Sequence, residues 1–227
     1  MKNFVLPESF YCLHQSRKRL NHCGWIECPY KKGDLPVTLN EMFYKVILLN
    51  ELSGNIRAAL RFSDPDGVLT GKSGWSFGLV QFDTQNNSLA LTCLRECGVT
   101  EAEIQGIVKQ NIDVKPLARK LVDNALIVRR YDEMQLSYCL NKALNFDMEH
   151  GIPVESPGGI LAGADYVNQY GSQGNGAKTY YKSLGRPITA EDVLRFKLEL
   201  TKWGREHPDD CKRRYNNIVK VVEASHA

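Results

Sequence analysis

Residues 38–54, TLNEMFYKVILLNELSG, carry the clearest helical signal in the chain. Thr38 and Glu41 stand three residues apart, which is the spacing of a capping box at a helix N-terminus. Apolar side chains follow at helical spacing, namely Met42, Phe43, Val46, Ile47 and Leu49. The segment therefore predicts a helix from about residue 39 to residue 52, with Gly54 as its stop.

Glu51 lies near the end of this predicted helix and shares a mainly apolar face with Tyr44, Ile47 and Leu48. We expect its carboxyl group to point inward. A carboxyl group held against apolar side chains loses hydration of its charged form, which favours the protonated form that a general acid needs. Helix position alone would favour a solvent-facing glutamate at a frayed end, so the assignment depends on the surrounding motifs.

The rest of the chain predicts an α+β protein that is mainly α. Residues 61–78 contain Asp64-Pro65-Asp66-Gly67 and three further glycines, which is typical of turns and a small β-hairpin. Further helices are predicted near residues 88–96, 100–109, 116–148, 189–204 and 209–222, the third of them in one or two pieces. Residues 1–36 predict an irregular N-terminal arm, followed by a single domain over residues 37–227.

Residues 156–185 are rich in Gly, Ser, Asn and Tyr. A segment of this composition forms either a linker or a binding surface. Its tyrosines favour a surface loop on which sugar rings could stack.

Composition excludes few classes. With 227 residues, 43% hydrophobic and 24% charged, the chain has an ordinary globular composition, so disordered and fibrous classes are excluded. The net charge of +3 mildly favours an anionic partner without distinguishing bacterial wall from nucleic acid. The basic residues Lys202, Arg205 and 212–214 are interpreted as a solvated face rather than a nucleic-acid site.

The cysteines and the N-terminus bear on compartment and cofactors. The seven cysteines form an odd set, and the N-terminus has no secretory pattern, so we expect free thiols and synthesis in a cytoplasm. Cys12, Cys23 and Cys28 lie near two histidines, but their spacing is not that of a strong zinc motif, and we expect neither a metal nor another cofactor. No apolar stretch is long enough for membrane insertion.

Three stretches resemble the goose-type lysozymes and the related lytic transglycosylases of the lysozyme-like superfamily. Residues 51–54 (ELSG) are similar to the end of the helix that carries the family's catalytic glutamate, and residues 74–83 (GWSFGLVQFD) are similar to the strand that crosses the cleft. Residues 158–175 resemble, more loosely, the family's Gly-Gly-Ile-Ala-Tyr-Asn-Ala-Gly segment. Leu52 and Val80 depart from the family, where a small polar residue and a Met are usual.

The resemblance implies a lysozyme-like helical domain with a small β-hairpin flanking the active-site cleft. It implies Glu51 as the general acid and Asp83 as the carboxylate that guides water in an inverting reaction. Asp66 and Asp64 are alternatives for the second carboxylate, although Asp-Pro-Asp-Gly is also a common turn sequence.

The resemblance also implies substrate-binding residues. Gln81 is expected to hydrogen-bond an N-acetyl or hydroxyl group. Ser73 and Trp75 lie on the same approach, where Trp75 either floors a sugar subsite or belongs to the core. Tyr166 and Asn168 are expected to line the opposite wall.

The implied activity is that of a peptidoglycan hydrolase, an N-acetylmuramidase that cleaves the β-1,4 bond between N-acetylmuramic acid and N-acetylglucosamine. A phage endolysin or a secreted effector would fit, made in a cytoplasm and acting on the wall in the periplasm as a monomer that binds no nucleic acid. The alternatives are a lytic transglycosylase that forms 1,6-anhydro ends, an enzyme acting on chitin or chitosan, and a non-catalytic glycan-binding module.

Overall fold

The computed structural model describes residues 37–65, 67, 71–154 and 156–225. The predicted N-terminal arm, the cysteine and histidine cluster within it, and the candidate carboxylate Asp66 lie outside these residues. The part of the chain that is described is mainly helical and contains one two-stranded antiparallel hairpin, which confirms the α+β, mainly α class.

The helices and strands follow one another in a simple order. The strands are β1 (Ser76–Phe77) and β2 (Phe82–Asp83), and a 3₁₀ helix covers Ile56–Leu60. The helices are α1 (Leu39–Leu52), α2 (Ser88–Glu96), α3 (Glu101–Val108), α4 (Ala118–Asp123), α5 (Ala125–His150), α6 (Pro157–Tyr170), α7 (Gly174–Ser183), α8 (Ala190–Leu200), α9 (Lys202–Glu206) and α10 (Pro208–Ala224).

Helix α1 has the predicted bounds for the predicted reasons. The Glu41 backbone N–H donates to Thr38 Oγ1 at 3.2 Å, and Glu41 Oε2 accepts from the Thr38 backbone N–H at 2.8 Å. At the other end Ser53 is left-handed, with φ at 49°, and the Gly54 N–H donates to the Leu48 carbonyl. These bonds satisfy backbone groups that a helix end leaves without partners. Glu51 is thereby fixed in the last turn of α1.

The hairpin lies further along the chain than predicted. Its strands pair Ser76 with Asp83 and Phe77 with Phe82. In the earlier part of residues 61–78, Ser63 forms a bridge to Ser76. The turn is anchored by Asp132 of α5, which accepts a hydrogen bond from the Val80 N–H at 3.3 Å. The turn thus contacts a residue distant in sequence, which local turn signals do not reveal.

The prediction of a polar loop over residues 156–185 is wrong, because this segment forms α6 and α7. Helix α6 is central and almost wholly buried, and it packs against α1, α5, α8 and α10. Its glycines allow close packing: a Cβ on Gly159 would lie 2.6 Å from the Ile188 carbonyl oxygen, and one on Gly163 would lie 3.5 Å from Ala143 Cβ. Glycine here serves helix contact rather than chain flexibility.

The single helix predicted at 189–204 is interrupted. Helix α8 ends at Leu200, and Thr201 then caps α9 by accepting from the Gly204 N–H at 3.0 Å. The segment predicted as one or two helices at 116–148 forms α4 and α5, and the last predicted helix is α10. The break before α9 allows α10 to turn back onto α1, α6 and α8.

The described cysteines agree with the expectation of free thiols. Cys93, Cys97, Cys139 and Cys211 are all unbridged and buried. Over the same part of the chain, no helix combines the length and apolar character needed to cross a membrane.

Candidate active site

A cleft of about 820 Å³ opens between the hairpin and the helical body. The hairpin, the loop before it and the start of α2 form one wall. Helix α5 and the C-terminal end of α6 form the other. The lining residues are Ser73, Val80, Gln81, Phe82, Asp83, Asn86, Asn87, Leu89, Met134, Gln135, Tyr138, Val167, Asn168, Gln169, Tyr170 and Gly171.

Glu51 is not among the residues that line this cleft, but it is hydrogen-bonded to one of them, Asn168. Its side chain is 17% exposed, and Asn168, which lines the cleft, donates from Nδ2 to Glu51 Oε1 at 3.2 Å. Arg214 Nη2 donates to the same oxygen at 2.7 Å. The mainly apolar surroundings expected for Glu51 are therefore replaced on this side by a guanidinium and an amide. Within the described part of the chain no hydrogen bond ends on Oε2, which leaves that oxygen for solvent or a ligand.

Arg214 connects Glu51 to a buried charge cluster. Its Nε donates to Asp165 Oδ2 at 3.0 Å, and its Nη2 donates to Asp165 Oδ1 at 2.6 Å. Asn50 Nδ2 donates to the same carboxylate at 2.9 Å, and Lys197 Nζ lies 4.0 Å from Asp165 Oδ2. The buried carboxylate of Asp165 thus faces two cations, Arg214 and Lys197, which compensate its charge.

The pKa values of the buried pair reflect this compensation. Burial opposes the charged form of Asp165, but the charges of Arg214 and Lys197 outweigh it, so the pKa of Asp165 lies below its usual value. Burial likewise opposes the charge on Arg214, and Asp165 and Glu51 outweigh it, so the pKa of Arg214 is raised. Both groups are ionised at neutral pH, and Arg214 is a permanent donor to Glu51.

The interpretation of residues 212–214 as a solvated face is wrong for Arg214, which is only 4% exposed. Lys212 and Arg213 do face solvent. Arg214 lies on the buried face of α10 with Cys211, Ile218 and Val221. Successive members of this set are three or four residues apart, as expected for one face of a helix. That periodicity is the sequence signal that could have distinguished Arg214 from its basic neighbours.

Asp83 lines the cleft but is engaged in the hairpin. Its Oδ1 accepts from the backbone N–H groups of Gly74 at 2.9 Å and Gln85 at 2.8 Å, and its Oδ2 accepts from Asn86 Nδ2 at 2.7 Å. A carboxylate has about four acceptor positions. One position on Oδ2 is therefore left for a water molecule once these three bonds are counted.

Asp64 is a turn residue that does not line the cleft. Its backbone carbonyl accepts from the Gly67 N–H at 3.3 Å, as in a β-turn. The structure thus brings Asp83, and not Asp64, to the cleft that Asn168 lines.

Three of the predicted substrate-binding residues line the cleft, namely Ser73, Gln81 and Asn168. Gln81 has a left-handed backbone with φ at 55°, and its side chain is held by two hydrogen bonds. Its Nε2 donates to the Gly78 carbonyl at 2.9 Å, and its Oε1 accepts from Ser63 Oγ at 2.6 Å. The side chain is thus oriented before any ligand binds.

Trp75 and Tyr166 do not line the cleft. Trp75 packs against the core, and its indole Nε1 is buried without a hydrogen-bond partner among the described residues. Tyr166 is 7% exposed and stacks on Tyr170 with ring centroids 4.4 Å apart. Tyr170 and the half-exposed Tyr138 line the cleft together with Phe82. Tyr170 belongs to the tyrosines that the sequence suggested as a sugar-stacking surface, whereas Tyr138 was not assigned to the site.

The described residues include no group of three or more His, Cys, Asp and Glu side chains placed to hold a metal ion.

No protein-family model matches the chain, and neither the curated proteins nor the solved structures contain a match to it.

Proposed function

We propose that this protein is a peptidoglycan-cleaving glycosidase, an N-acetylmuramidase, in which Glu51 is the general acid. The observation that carries the proposal is the placement of Glu51. Arg214 and Asn168 hold Oε1, Oε2 has no hydrogen bond from the described residues, and Asn168 lines a cleft large enough for sugar residues. The substrate class comes from the resemblance of residues 51–54, 74–83 and 158–175 to the goose-type lysozymes.

This arrangement suits proton donation from Oε2. A proton carried on Oε2 passes to the glycosidic oxygen, and the carboxylate that forms retains the hydrogen bonds from Arg214 and Asn168 on Oε1. Because these donors are in place before the reaction, they stabilise the developing charge without reorganisation. Asp165 already takes two hydrogen bonds from Arg214, so the guanidinium is shared and is not a dedicated counter-ion of Glu51.

Asp83 supplies the second carboxylate of the proposed hydrolysis. The acceptor position left on its Oδ2 can orient a water molecule toward the anomeric carbon, on the face opposite Glu51. The product would then be an ordinary reducing end with inverted configuration.

A lytic transglycosylase is the second candidate, and the hydrogen bonds of Asp83 favour it. Three donors already tie this carboxylate to the hairpin and its loop. A transglycosylase needs only the glutamate, because the sugar's own hydroxyl attacks and forms a 1,6-anhydro end. An Asp83→Asn variant separates the two: it should lose most activity in a hydrolase and keep it in a transglycosylase.

The decisive experiment compares the wild-type protein with Glu51→Gln on isolated Gram-negative peptidoglycan. Released fragments are identified by mass spectrometry. The matched control is Glu133→Gln, an exposed carboxylate of α5 that pairs with Arg129 on the surface and does not line the cleft. Loss of a general acid should lower the rate by about 100-fold to 10,000-fold, and the control should behave as wild type.

The fragment ends decide the reaction. Reducing muramic ends that depend on Glu51 would support the muramidase, and anhydro ends would support the transglycosylase. If wild-type protein releases no fragments, the wall-lytic proposal fails, and chitin or chitosan oligomers are the next substrates to test. If wild-type protein cleaves none of these glycans, and it and Glu51→Gln bind glycan equally, the protein is a binding module.

The route to the wall is also a proposal. The resemblance is consistent with an endolysin made in a host cytoplasm and acting as a monomer in the periplasm. Gram-negative cells that express the chain should then lyse only when the inner membrane is permeabilised. Lysis without permeabilisation would contradict this route.

A further inference from the structure

The turn between β1 and β2, residues 78–81, forms part of one wall of the cleft. Val80 and Gln81 line the cleft, and Gln81 leads into β2, which carries Asp83. The Gly78 carbonyl accepts from the Gln81 N–H at 3.3 Å and from Gln81 Nε2 at 2.9 Å. The conformation of this turn therefore sets where two side chains of the candidate site lie.

The buried N–H groups of this turn require acceptors. Leu79 and Val80 are 1% and 5% exposed, so their N–H groups cannot rely on solvent. The Val80 N–H donates to Asp132 Oδ1 at 3.3 Å, and the Leu79 N–H interacts with the same carboxylate. The Gly78 N–H donates instead to the Ala59 carbonyl at 2.8 Å. Asp132 of α5 thus serves the two central N–H groups of the turn.

The turn fits closely around the Asp132 carboxylate. Gly78 has a φ of 80°, and a Cβ at this position would lie 2.7 Å from Asp132 Oδ1 and 2.8 Å from Phe82 Cδ2. Glycine is therefore required both by the backbone conformation and by the carboxylate. Met134 and Gln135, two and three residues after Asp132 on α5, line the cleft on the opposite wall. Asp132 thus connects the two walls of the cleft.

Hydrogen bonding alone does not explain why this residue is an aspartate. Burial raises the pKa of Asp132 to about 7, although the N–H groups of Leu79 and Val80 favour its charged form, and no cation of the described chain contributes. An asparagine could accept from the same N–H groups without the cost of burying a charge. What the carboxylate adds is strength, because hydrogen bonds to an ionised acceptor are roughly twice as strong as neutral ones.

The titratable groups around Asp132 do not share its behaviour. The turn itself has no ionisable side chain, and the groups on α2 and α5 are Cys93, Glu96, Arg130, Tyr131 and Glu133. A hydrogen bond with Cys97, burial and the nearby carboxylates raise the pKa of the Cys93 thiol, so it stays neutral. Glu96 accepts from Tyr131 Oη at 2.6 Å, and this bond and Arg130 lower its pKa, so it stays ionised. Asp132 is the group here whose charge changes near neutral pH.

We propose that Asp132 is a positioning residue, which in its ionised form holds the turn of residues 78–81, and with it Gln81 and Asp83, against α5. The inference rests on the proposed function, because these two side chains matter as parts of that site. When Asp132 takes up a proton, its hydrogen bonds to the turn become neutral and weaker. The rate of cleavage should therefore include a step that rises with pH through about 7, in addition to any effect of Glu51.

The kinetic test compares wild type with Asp132→Asn, which conserves the volume and one acceptor but removes the charge. The matched control is Asp147→Asn, because Asp147 is a second buried carboxylate of α5 whose pKa burial raises to about 7, and it does not line the cleft. Fifteen residues of helix place it roughly 22 Å from Asp132. Both kcat and KM are measured on soluble glycan strands from about pH 5 to about pH 8.5, on either side of this pKa. Each variant is expressed as a ratio to wild type, so that the titration of Glu51 cancels.

At the upper end of this range Asp132→Asn should have a kcat roughly tenfold below wild type. The ratio should approach one at the lower end, where the wild-type carboxyl group is also neutral. The loss should appear in kcat more than in KM, because the turn positions groups and adds no contact with substrate of its own. The ratio for Asp147→Asn should stay near one throughout. A ratio for Asp132→Asn that does not depend on pH would overturn the proposal and leave Asp132 a structural residue.

A second measurement does not depend on activity. In NMR spectra of the isotope-labelled protein, the backbone amide signals of Leu79 and Val80 should titrate with an apparent pKa of about 7 in wild type and in Asp147→Asn. The side-chain amide of Gln81, which is bonded within the turn, should show the same step. All three signals should lose this step in Asp132→Asn. Wild-type signals that do not respond to pH in this range would also overturn the proposal.

Failure of the proposed function would look different. Wild-type protein that cleaves no glycan would refute the glycosidase, whereas the NMR titration would still decide whether Asp132 holds the turn. Wild-type protein that cleaves glycan while Leu79 and Val80 fail to titrate would refute only the role of Asp132.

Discussion

Removing the negative charge of Asp165 should destabilise the fold through Arg214. In Asp165→Asn the volume is conserved, but the guanidinium loses a carboxylate that accepts from both Nε and Nη2, and Lys197 loses its nearest anion. Asp165 and Arg214 are 2% and 4% exposed, so solvent cannot replace the lost partner. Breaking a buried pair in this way costs about 3–5 kcal/mol.

The assay is urea unfolding at pH 7, supported by the melting temperature. For a domain of this size the expected loss corresponds to a decrease of about 6–20 °C. The control is Glu133→Gln, whose exposed i,i+4 pair with Arg129 should contribute about 0.5 kcal/mol or less. A loss in Asp165→Asn no larger than that of the control would refute the conclusion that the cluster depends on this charge.

The same prediction has a pH dependence. Because the pKa of Asp165 is lowered in the folded state, its contribution to stability is complete above the unfolded value of about 4. This contribution is lost as the pH falls through the pKa that Asp165 has in the folded state. The difference in unfolding free energy between wild type and Asp165→Asn should therefore be large at pH 7 and should shrink below pH 4. A difference that stays constant down to pH 2.5, about 1.4 pH units below the unfolded value, would contradict this assignment.

Burial raises the pKa of Asp147 to about 7, so the folded state holds a proton that the unfolded chain releases near pH 4, and stability is lost as the pH rises through this window. Asp147→Asn should thus be more stable than wild type by up to roughly 4 kcal/mol at pH 8. In urea titrations this advantage should shrink toward pH 4. An equal advantage at both pH values would argue against a raised pKa of Asp147. Gly159→Ala would place a Cβ 2.6 Å from the Ile188 carbonyl oxygen and should lower the unfolding free energy by about 1–3 kcal/mol. A Cβ added at the neighbouring Gly158 would lie 3.6 Å from its nearest atom, which is ordinary contact. Gly158→Ala should therefore be neutral or stabilising by up to about 1 kcal/mol in thermal unfolding. Equal losses from both variants would contradict the packing account.

Most of the elements could be predicted from the sequence because their signals are local. The capping box at Thr38 and the stop at Gly54 place α1 at its observed ends, and the helix predicted near residues 100–109 is observed as α3, Glu101–Val108. These signals depend on hydrogen bonds between residues a few positions apart, so they need no knowledge of the rest of the chain. The position of Glu51 in the last turn of α1 follows from them.

Local signals misled wherever a distant residue decided the outcome. The glycines of residues 156–185 favoured a loop, but Gly159 and Gly163 form contacts between α6 and its neighbours. The hairpin lies later in the chain than the local turn signals suggested, and its turn is in contact with Asp132, far along the chain on α5. Glycine and turn residues have the same local preferences in loops and in tight contacts, so only the packing partner distinguishes the two.

The sequence by itself determined the mainly helical class, the bounds of α1 and the presence of a carboxyl group at its end. Only the tertiary structure decided what surrounds that group: Arg214 from α10, Asp165 and Asn168 from α6, and a cleft bounded by the hairpin and α5. The physical reason is that helix formation depends on neighbours three and four residues away. The charge environment of Glu51 depends instead on side chains more than a hundred positions distant, which meet only when α1, α6 and α10 pack together.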